Sequence, residues 1–405
     1  MHIYHPAGER SVNVLVFVSD ALRADHLSCY GARFVNTKTV DELSAAGLRF
    51  DQAISPAPWT APAMTSIVTG LYPHHHGYLH WDGTLAPETR TVFDAFAEAG
   101  HAVASFVFDR TFLFRDLPAA RVAGETHTLD GVLDWLREHR DEPFFLLVHS
   151  WATHMPHHVP HGEHTEWREA KLRYLAQIQG GTAVGLEACY EEYREGVERM
   201  SETLLASLLD ELERLRLRET TAVVFLSDHG ESWGERFADK EDVKGIYHLH
   251  GATLFDEVLN VPLILSAPGL APRVVRSQVS SVDLVPALGE LAGVATPPGD
   301  GSSLLRYAAE DGPDEAVLAA TSDRGTMSQL GVRLPPWKLV RHLADGREQA
   351  FRLDADPRER RDRASEASSE LRDLLDRELD GVERRDMTAE EEAIVVARLE
   401  SLGYL

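Results

Sequence analysis

The stretch VVFLSDHGES, residues 223–232, drives an apolar run straight into Ser227, Asp228 and His229. Unpaired, an acid and an imidazole are costly to bury, so a strand that ends on them needs a reason. NVLVFVSDAL, residues 13–22, makes the same move and ends on Asp20. Two apolar runs, far apart in the chain and both closing in Ser-Asp, place two carboxylates at one edge of one sheet.

Working outward, HAVASFVF (101–108), PFFLLVHS (143–150) and VPLILSAP (261–268) also read as buried strands, being short, β-branched and aromatic. Between them VDELSAAG (40–47), TVFDAFAEAG (91–100), LDGVLDWLREH (129–139) and the long 187–216 segment carry helical spacing. Such alternation predicts an α/β fold, a mostly parallel sheet sandwiched by helices in three layers. Ligands bind such sheets beyond the carboxyl ends of the strands, where Asp20, Asp228 and His149 fall. The division expected is a main domain over 1–312 and a small C-terminal α+β subdomain over 313–405, where charge density rises. There ERRDRASEASSELRDLLDREL (359–379) reads as a solvated linker and helix. Thr388 with Glu391 fits a capping box, Ile394, Val395, Leu399 and Leu402 form a stripe, and Gly403 is placed to end that helix. The repeated charges of 187–216 and 354–385 read as solvated helix faces.

The bulk numbers exclude several classes. A net charge of −25 over 405 residues repels nucleic-acid phosphates and an anionic membrane surface. Cys29 and Cys189 are the only cysteines, so no disulfide scaffold is expected. MHIYHPAGER has no apolar run of the secretory kind, and no window approaches the roughly 18–20 apolar residues of a membrane span. The expectation is a soluble cytoplasmic protein acting on a small molecule, with no nucleic-acid or membrane partner and its oligomeric state open.

The chemistry centres on SPAPWTAPAMTSIVTGLYPHHHG, residues 55–77. Pro62 suits a first helical turn and Gly70 its end, which puts Thr60 at or just before a helix N-terminus, where free amides favour an anion. A hydroxyl there attacks a phosphoryl or sulfuryl centre once a divalent metal lowers its pKa. Asp20, Asp228 and His229 supply ligands for such a metal. The plainer reading makes Thr60 a helix cap. His149, His154, His157, His158, His161 and His164 crowd one loop. They would hold a second metal or, more simply, line the site with His154 alone active. His74, His75 and His76 read as a helix-exit loop rather than a metal site, with His76 the one facing the pocket. His248 is either a ligand or substrate contact, or a solvent-facing neighbour of His250.

In order along the chain, VLVFVSDALRADHLSCYG (14–31), TAPAMTSIVTGLYPHHHG (60–77), THMPHH (153–158), FLSDHGESWGE (225–235) and HGATLFDEVLNVPLILSAPG (250–269) resemble a sulfatase-type member of the alkaline phosphatase superfamily. SSVDLVPALGELAGV (280–294), FRLDADPRE (351–359) and RLESLGYL (398–405) extend the resemblance over almost the whole chain. It implies an alkaline-phosphatase-like fold and a divalent metal, Ca, Mn or Zn, since an imidazole ligand tilts away from Mg. It implies Asp20, Asp228 and His229 as metal ligands, with Thr60 at the nucleophile position and also against the metal. His154, in a His-x-Pro element, would bind the anion or protonate the leaving oxygen, and His250 would face the substrate anion. Arg23 and Asp25 would order the first loop. His76, Asp109, His157 and His248 are the further candidates for substrate contact.

Three departures shape the expected reaction. The sulfatase Cys/Ser-x-Pro-x-Arg is here Thr60-Ala61-Pro62-Ala63-Met64, and Thr cannot mature to the formylglycine aldehyde. Its Thr-x-Pro resembles the nucleophile of the superfamily's phosphodiesterases, although Ala63 replaces the usual Asn. Asp20-Ala21 stands where many sulfatases carry Asp-Asp, and HAVASFVFDRTF replaces the Gly-Lys-x-His segment, leaving Asp109 and Arg110 as substitutes. A Thr ester displaced by water is familiar in phosphoryl transfer. The expectation is therefore hydrolysis of a phosphoester, a phosphodiester or phosphonate monoester, through a covalent Thr60 intermediate. The alternatives are a sulfate ester hydrolase, a group transferase, and a non-catalytic binding relative that Ala21, Ala63 and Met64 would suit.

Overall fold

A computed structural model describes residues 12–79, 83–107, 113–114, 117, 122–124, 129–155, 183–233, 249–323 and 326–380. The two Ser-Asp runs are neighbouring strands. β1 (Asn13–Ser19) lies beside the strand Thr221–Ser227 in parallel register, Ser19 opposite Ser227. On its other side lies Phe144–Ser150, also parallel, with Ser19 opposite Ser150. In chain order the remaining strands are β2 (Leu48–Ile54), β3 (Ala102–Phe106) and β4 (Val122–Gly124), so that Phe144–Ser150 is β5 and Thr221–Ser227 is β6. β7 (Asn260–Ser266), β8 (Arg273–Val275) and β9 (Val279–Ser280) complete a nine-stranded sheet. Its order is β4-β3-β5-β1-β6-β7-β2-β8, with β9 also on β2. β7 pairs antiparallel with both β6 and β2; every other described pairing is parallel.

Burial on both faces explains why these strands read as unbroken apolar runs rather than alternating ones. Val14, Val16 and Val18 pack with the helices Thr60–Thr69, Val92–Glu98 and Leu284–Ala292. Leu15 and Phe17 point the other way, onto Lys38–Ala45, Asp130–Glu138, Ala183–Arg199 and Ala206–Arg214. The helices sit where the spacing predicts them, the last two joined by a π-helical stretch, Met200–Leu205. β2 was not expected. LRFDQAI interrupts its apolar residues with Arg49, Asp51 and Gln52, and its pairing with β7 shifts register between Phe50 and Ala53.

Past residue 312 an antiparallel sheet forms from β10 (Val317–Asp323), β11 (Thr326–Leu334), β12 (Trp337–His342) and β13 (Glu348–Arg352). The helix Ser369–Leu379 lays Leu371 and Leu375 on it. Two acids depart from the solvated-face reading of these charged segments. Glu359 is 2% exposed and Glu211 is 6% exposed; each is held by basic partners, Lys338 and Arg137/Arg214 respectively. The small sheet also supports the loop at 250–256: Gln329 Nε2 donates to the Ala252 carbonyl at 2.9 Å, and Thr321 donates to that of Gly251. The capping box and stripe expected at Thr388–Gly403 lie outside the described residues. Among the described residues no helix is long and apolar enough to cross a membrane.

Candidate active site

The serines that precede the two acids tie the strand ends together. Ser227 Oγ donates to the carbonyls of Ser19 and His229, each at 2.6 Å, and accepts from the Leu22 amide at 2.9 Å. Ser19 Oγ meets Thr153 Oγ1 at 2.7 Å, and Thr153 Oγ1 donates to the Asp20 carbonyl at 2.5 Å. Gly230 is required for a different reason: a Cβ there would fall 2.3 Å from the Glu257 carbonyl oxygen.

Asp20, Asp228 and His229, just past the ends of β1 and β6, and His149, the penultimate residue of β5, are fully buried together. His149 Nε2 lies 3.1 Å from Asp20 Oδ2. His229 Nε2 lies 3.4 Å from Asp20 Oδ1 and 3.6 Å from Asp228 Oδ2. The other His229 nitrogen, Nδ1, faces the Gly230 carbonyl at 2.8 Å, which assigns the proton to Nδ1 and turns the Nε2 lone pair toward both acids. Asp228 Oδ1 accepts from the amides of Ala21 and His229, at 3.1 and 2.8 Å. Asp20 Oδ1 and Asp228 Oδ2 make no hydrogen bond despite full burial. Burial pushes the Asp228 carboxyl up and the Asp20 charge pushes it further. At Asp20 burial acts the same way, yet the imidazoles of His154, His149 and His229 outweigh it and hold the acid below the usual carboxylate range.

Two buried carboxylates, each with one orphaned oxygen, and two imidazoles are a donor set that suits a divalent cation, and Asp20, His149 and Asp228 can bring one ligand atom each within 4.8 Å of one another. Ala21 does not merely lack a second carboxylate. It is fully buried at φ 57°, with its amide committed to Asp228.

Thr60 is the first residue of its helix; Trp59 is the N-cap and makes no side-chain cap bond. Freed from capping, Thr60 Oγ1 lies 3.4 Å from Asp20 Oδ2 and 3.3 Å from His229 Nε2. Gly70 ends the helix at φ 72°. Met64, where sulfatases place an Arg, is buried among apolar neighbours.

Above this floor, His154 stacks on Trp151 with centroids 4.0 Å apart, and its Nδ1 meets the Met155 carbonyl at 2.6 Å. His250 lies 4.6 Å from the His229 ring and 5.3 Å from the His154 ring. Its Nδ1 meets Glu231 Oε1 at 2.9 Å. Arg23 pairs with Asp25 at 2.8 Å and donates to the Glu231 carbonyl at 3.0 Å, so the first loop is braced against this rim.

The structure thus brings together Asp20, Thr60, His154, Asp228, His229 and His250. His76 is placed differently. Its Nε2 meets Ser66 Oγ at 3.1 Å and the Pro62 carbonyl at 3.3 Å, and Nδ1 accepts from the Tyr78 amide at 3.0 Å. Both nitrogens are consumed inside the fold, and burial pushes the imidazole down to about 3. Asp109, Arg110, His157, His158, His161, His164 and His248 lie outside the described residues. Two residues take roles in the site that the sequence did not assign them. His149 was visible at a strand end but not as the partner of Asp20. Glu231 stands inside the opening motif, fully buried, and nothing in the spacing linked it to His250.

The comparisons with known proteins fit this geometry. Residues 12–294 match the family model named Sulfatase. The uncharacterized sulfatase YidJ of Escherichia coli K12 is 24% identical over 387 residues, covering 78% of this chain and 73% of that protein. A low-salt glycan biosynthesis sulfotransferase of Haloferax volcanii, Agl7, is 28% identical over 68% of this chain and 59% of its own. The solved phosphonate monoester hydrolase of Silicibacter pomeroyi superposes with a TM-score of 0.71 at 17% identity, covering 94% and 98% of the two chains, a likeness of fold. The chain belongs to the sulfatase family of the alkaline phosphatase superfamily, a family of metal-dependent hydrolases acting on ester bonds.

Proposed function

We propose that this protein hydrolyses a small-molecule phosphoester, a phosphodiester or phosphonate monoester, through a covalent Thr60 intermediate. The observation that carries the reading is the Thr60 hydroxyl: it begins a buried helix, is not the N-cap, a position Trp59 occupies, and lies 3.4 and 3.3 Å from Asp20 and His229. A Thr there supports direct displacement, since it cannot become an aldehyde that ejects sulfate.

Asp20, Asp228 and His229, with His149 beside Asp20, would hold a divalent cation, and their mixed oxygen and imidazole donors suit Mn, Zn or Ca better than Mg. What such a cation supplies when bound is positive charge, which acidifies the Thr60 hydroxyl and offsets charge on the ester oxygens. Thr60 Oγ1 forms the new bond to phosphorus and releases its proton toward Asp20 Oδ2. The ester P–O bond breaks, and the departing alkoxide takes a proton from His154 or His250. Water then displaces Thr60 from phosphorus: it gives a proton to the histidine that protonated the alcohol, and Thr60 Oγ1 takes its own proton back from Asp20. The amides of Thr60 and Ala61 would bind the equatorial oxygens, since Pro62 carries no N–H and the Ala63 amide is taken by the Trp59 carbonyl. Glu231, on Nδ1 of His250, orients that ring and balances the positive charge it carries when it donates from its other nitrogen.

The sulfate reading rests on the family itself, and the likeness to the Haloferax volcanii sulfotransferase favours testing transfer to an alcohol as well. The test is a matched series of phosphodiester, phosphonate monoester, phosphomonoester and sulfate ester of one chromogenic alcohol. Each is run with metal-analysed wild type and Thr60→Ala, with and without an added acceptor alcohol. Phosphoester turnover that falls about ten-thousand-fold or more in Thr60→Ala, at unchanged metal content, is the expected result. Retained turnover in that variant would sink the covalent route. Preferred turnover of the sulfate would move the chemistry to sulfur, and acceptor-dependent product would make it a transferase. Bound metal with no turnover of any ester would leave a binding protein.

A further inference from the structure

The histidine triplet was read as a simple helix exit, and one member, His76, does serve the fold from within. The other two point elsewhere. The short helix Pro73–His76 follows the Thr60 helix directly and lies against the C-terminal helix Ser369–Leu379. His74 Nε2 lies 3.1 Å from Glu378 Oε2, and His75 Nε2 lies 3.8 Å from the same oxygen. The two imidazole rings are 4.2 Å apart.

We propose that His74, His75 and Glu378 form a second divalent-metal site, of the zinc class, that clips the C-terminal helix to the segment leaving the Thr60 helix. One ligand atom from each residue falls within 4.8 Å of the others. Ligands around a tetrahedral zinc stand roughly 3.3 Å apart, given bonds of about 2.0–2.1 Å, and the separations of 3.1 and 3.8 Å bracket that value. His75 also carries the outer partner such ligands have: Asp300 Oδ2 sits 2.8 Å from its Nδ1. That bond places the proton on Nδ1 and leaves the Nε2 lone pair toward Glu378. Asp300 is itself fixed by the Tyr72 amide, at 2.7 Å. His74 is oriented by packing, its side chain 0% exposed and its ring parallel to Tyr72 with centroids 5.8 Å apart. His75 and Glu378 are 40% and 29% exposed, which gives the ion an entry path and leaves a fourth position for water. Nothing in this site depends on the reading of Thr60.

The test counts zinc. Full-length protein stripped with chelator is reloaded with excess zinc, passed through a desalting column and analysed for metal, as wild type and as His75→Ala, Glu378→Gln, Asp300→Asn and Asp228→Asn. His75→Ala and Glu378→Gln should each hold one equivalent fewer than wild type, and Asp228→Asn, which loses only the sheet-edge equivalent, should fall from one equivalent to none when Glu378→Gln is added to it. Asp300→Asn should weaken zinc affinity about 10- to 100-fold, because Asn still accepts from Tyr72 but orients His75 less firmly. Zinc should raise the melting temperature of Asp228→Asn more than that of the Asp228→Asn/Glu378→Gln double variant. Equal zinc content in wild type, His75→Ala and Glu378→Gln would overturn the proposal and leave these groups as an ion-pair latch. If His75→Ala fails to fold, Glu378→Gln, at the exposed end of the cluster, decides alone.

Discussion

Two clusters of buried charge flank the loop that carries His250, and they are balanced in opposite ways. At the small sheet, Asp256 and Glu359 face Lys338 and Arg333. Lys338 Nζ lies 2.8 Å from Asp256 and 2.7 Å from Glu359, and Arg333 lies 3.1 Å from Asp256. Two acids meet two bases, and burial of Lys338, which would lower it, is outweighed by the carboxylates that hold it up. At the sheet edge, Asp20 and Asp228 form their ion pairs with imidazoles alone, and one oxygen of each is left without a hydrogen bond. In the first cluster each carboxylate has a lysine or arginine cation within 3.1 Å, although burial still pushes the Glu359 carboxyl up to about 7. The second is organised for a cation from outside, and that separates a structural brace from a site.

The contrast predicts opposite signs on mutation. Lys338→Ala should destabilise the fold most, by about 3–5 kcal/mol, since it takes the cation from buried Glu359 and leaves Asp256 with Arg333 alone; urea melts measure it, and a loss under about 1 kcal/mol would mean the cluster is wetter than its burial suggests. Asp228→Asn should do the reverse in chelator-treated protein. It removes one of two like charges yet keeps an oxygen for the Ala21 and His229 amides, so a gain of about 1–2 kcal/mol is expected. The same variant should lose its sheet-edge metal, and with metal present the wild type should again be the more stable.

The smallest effect belongs to Glu211, a buried acid whose two arginine partners are themselves largely exposed. Glu211 is bonded by Arg214 and Arg137, which pull its carboxyl down to about 2 against a small burial cost. The lowered acid contributes stability above its unfolded value near 4.5 and loses that contribution as pH falls toward 2. Glu211→Gln should therefore cost about 1 kcal/mol or less at neutral pH, with its melting curve converging on wild type near pH 2. A constant difference at both pH values would show that Glu211 acts through packing instead.

How much of this was legible depended on whether a signal was local. β1, β5 and β6 could be read because each is one apolar run, and their Ser-Asp or His-Ser endings fixed which edge mattered. β2 could not be read: Arg49, Asp51 and Gln52 break its run, and it is held by long-range pairing with β7. Thr60, Asp20, Asp228 and His229 were legible through motif order. The Glu231–His250 pair was not, because it closes across nineteen residues, Glu231 to His250, in space rather than in a helical repeat. The Lys338 cluster is more distant still, although a signal was present: Lys338 is one of only five lysines in an arginine-rich chain. His74 and His75 were seen, but their partner Glu378 lies three hundred residues on, in a helix read as solvated.

The most direct test of the central claim, that Thr60 carries the transferred group, is acid quenching of metal-loaded enzyme during turnover of an activated phosphodiester, followed by peptide mass spectrometry. The account predicts a phosphoryl adduct on the peptide containing Thr60, present during turnover and absent in Thr60→Ala. Steady turnover with no adduct at any quench time, in an enzyme whose Thr60→Ala variant stays active, would contradict it.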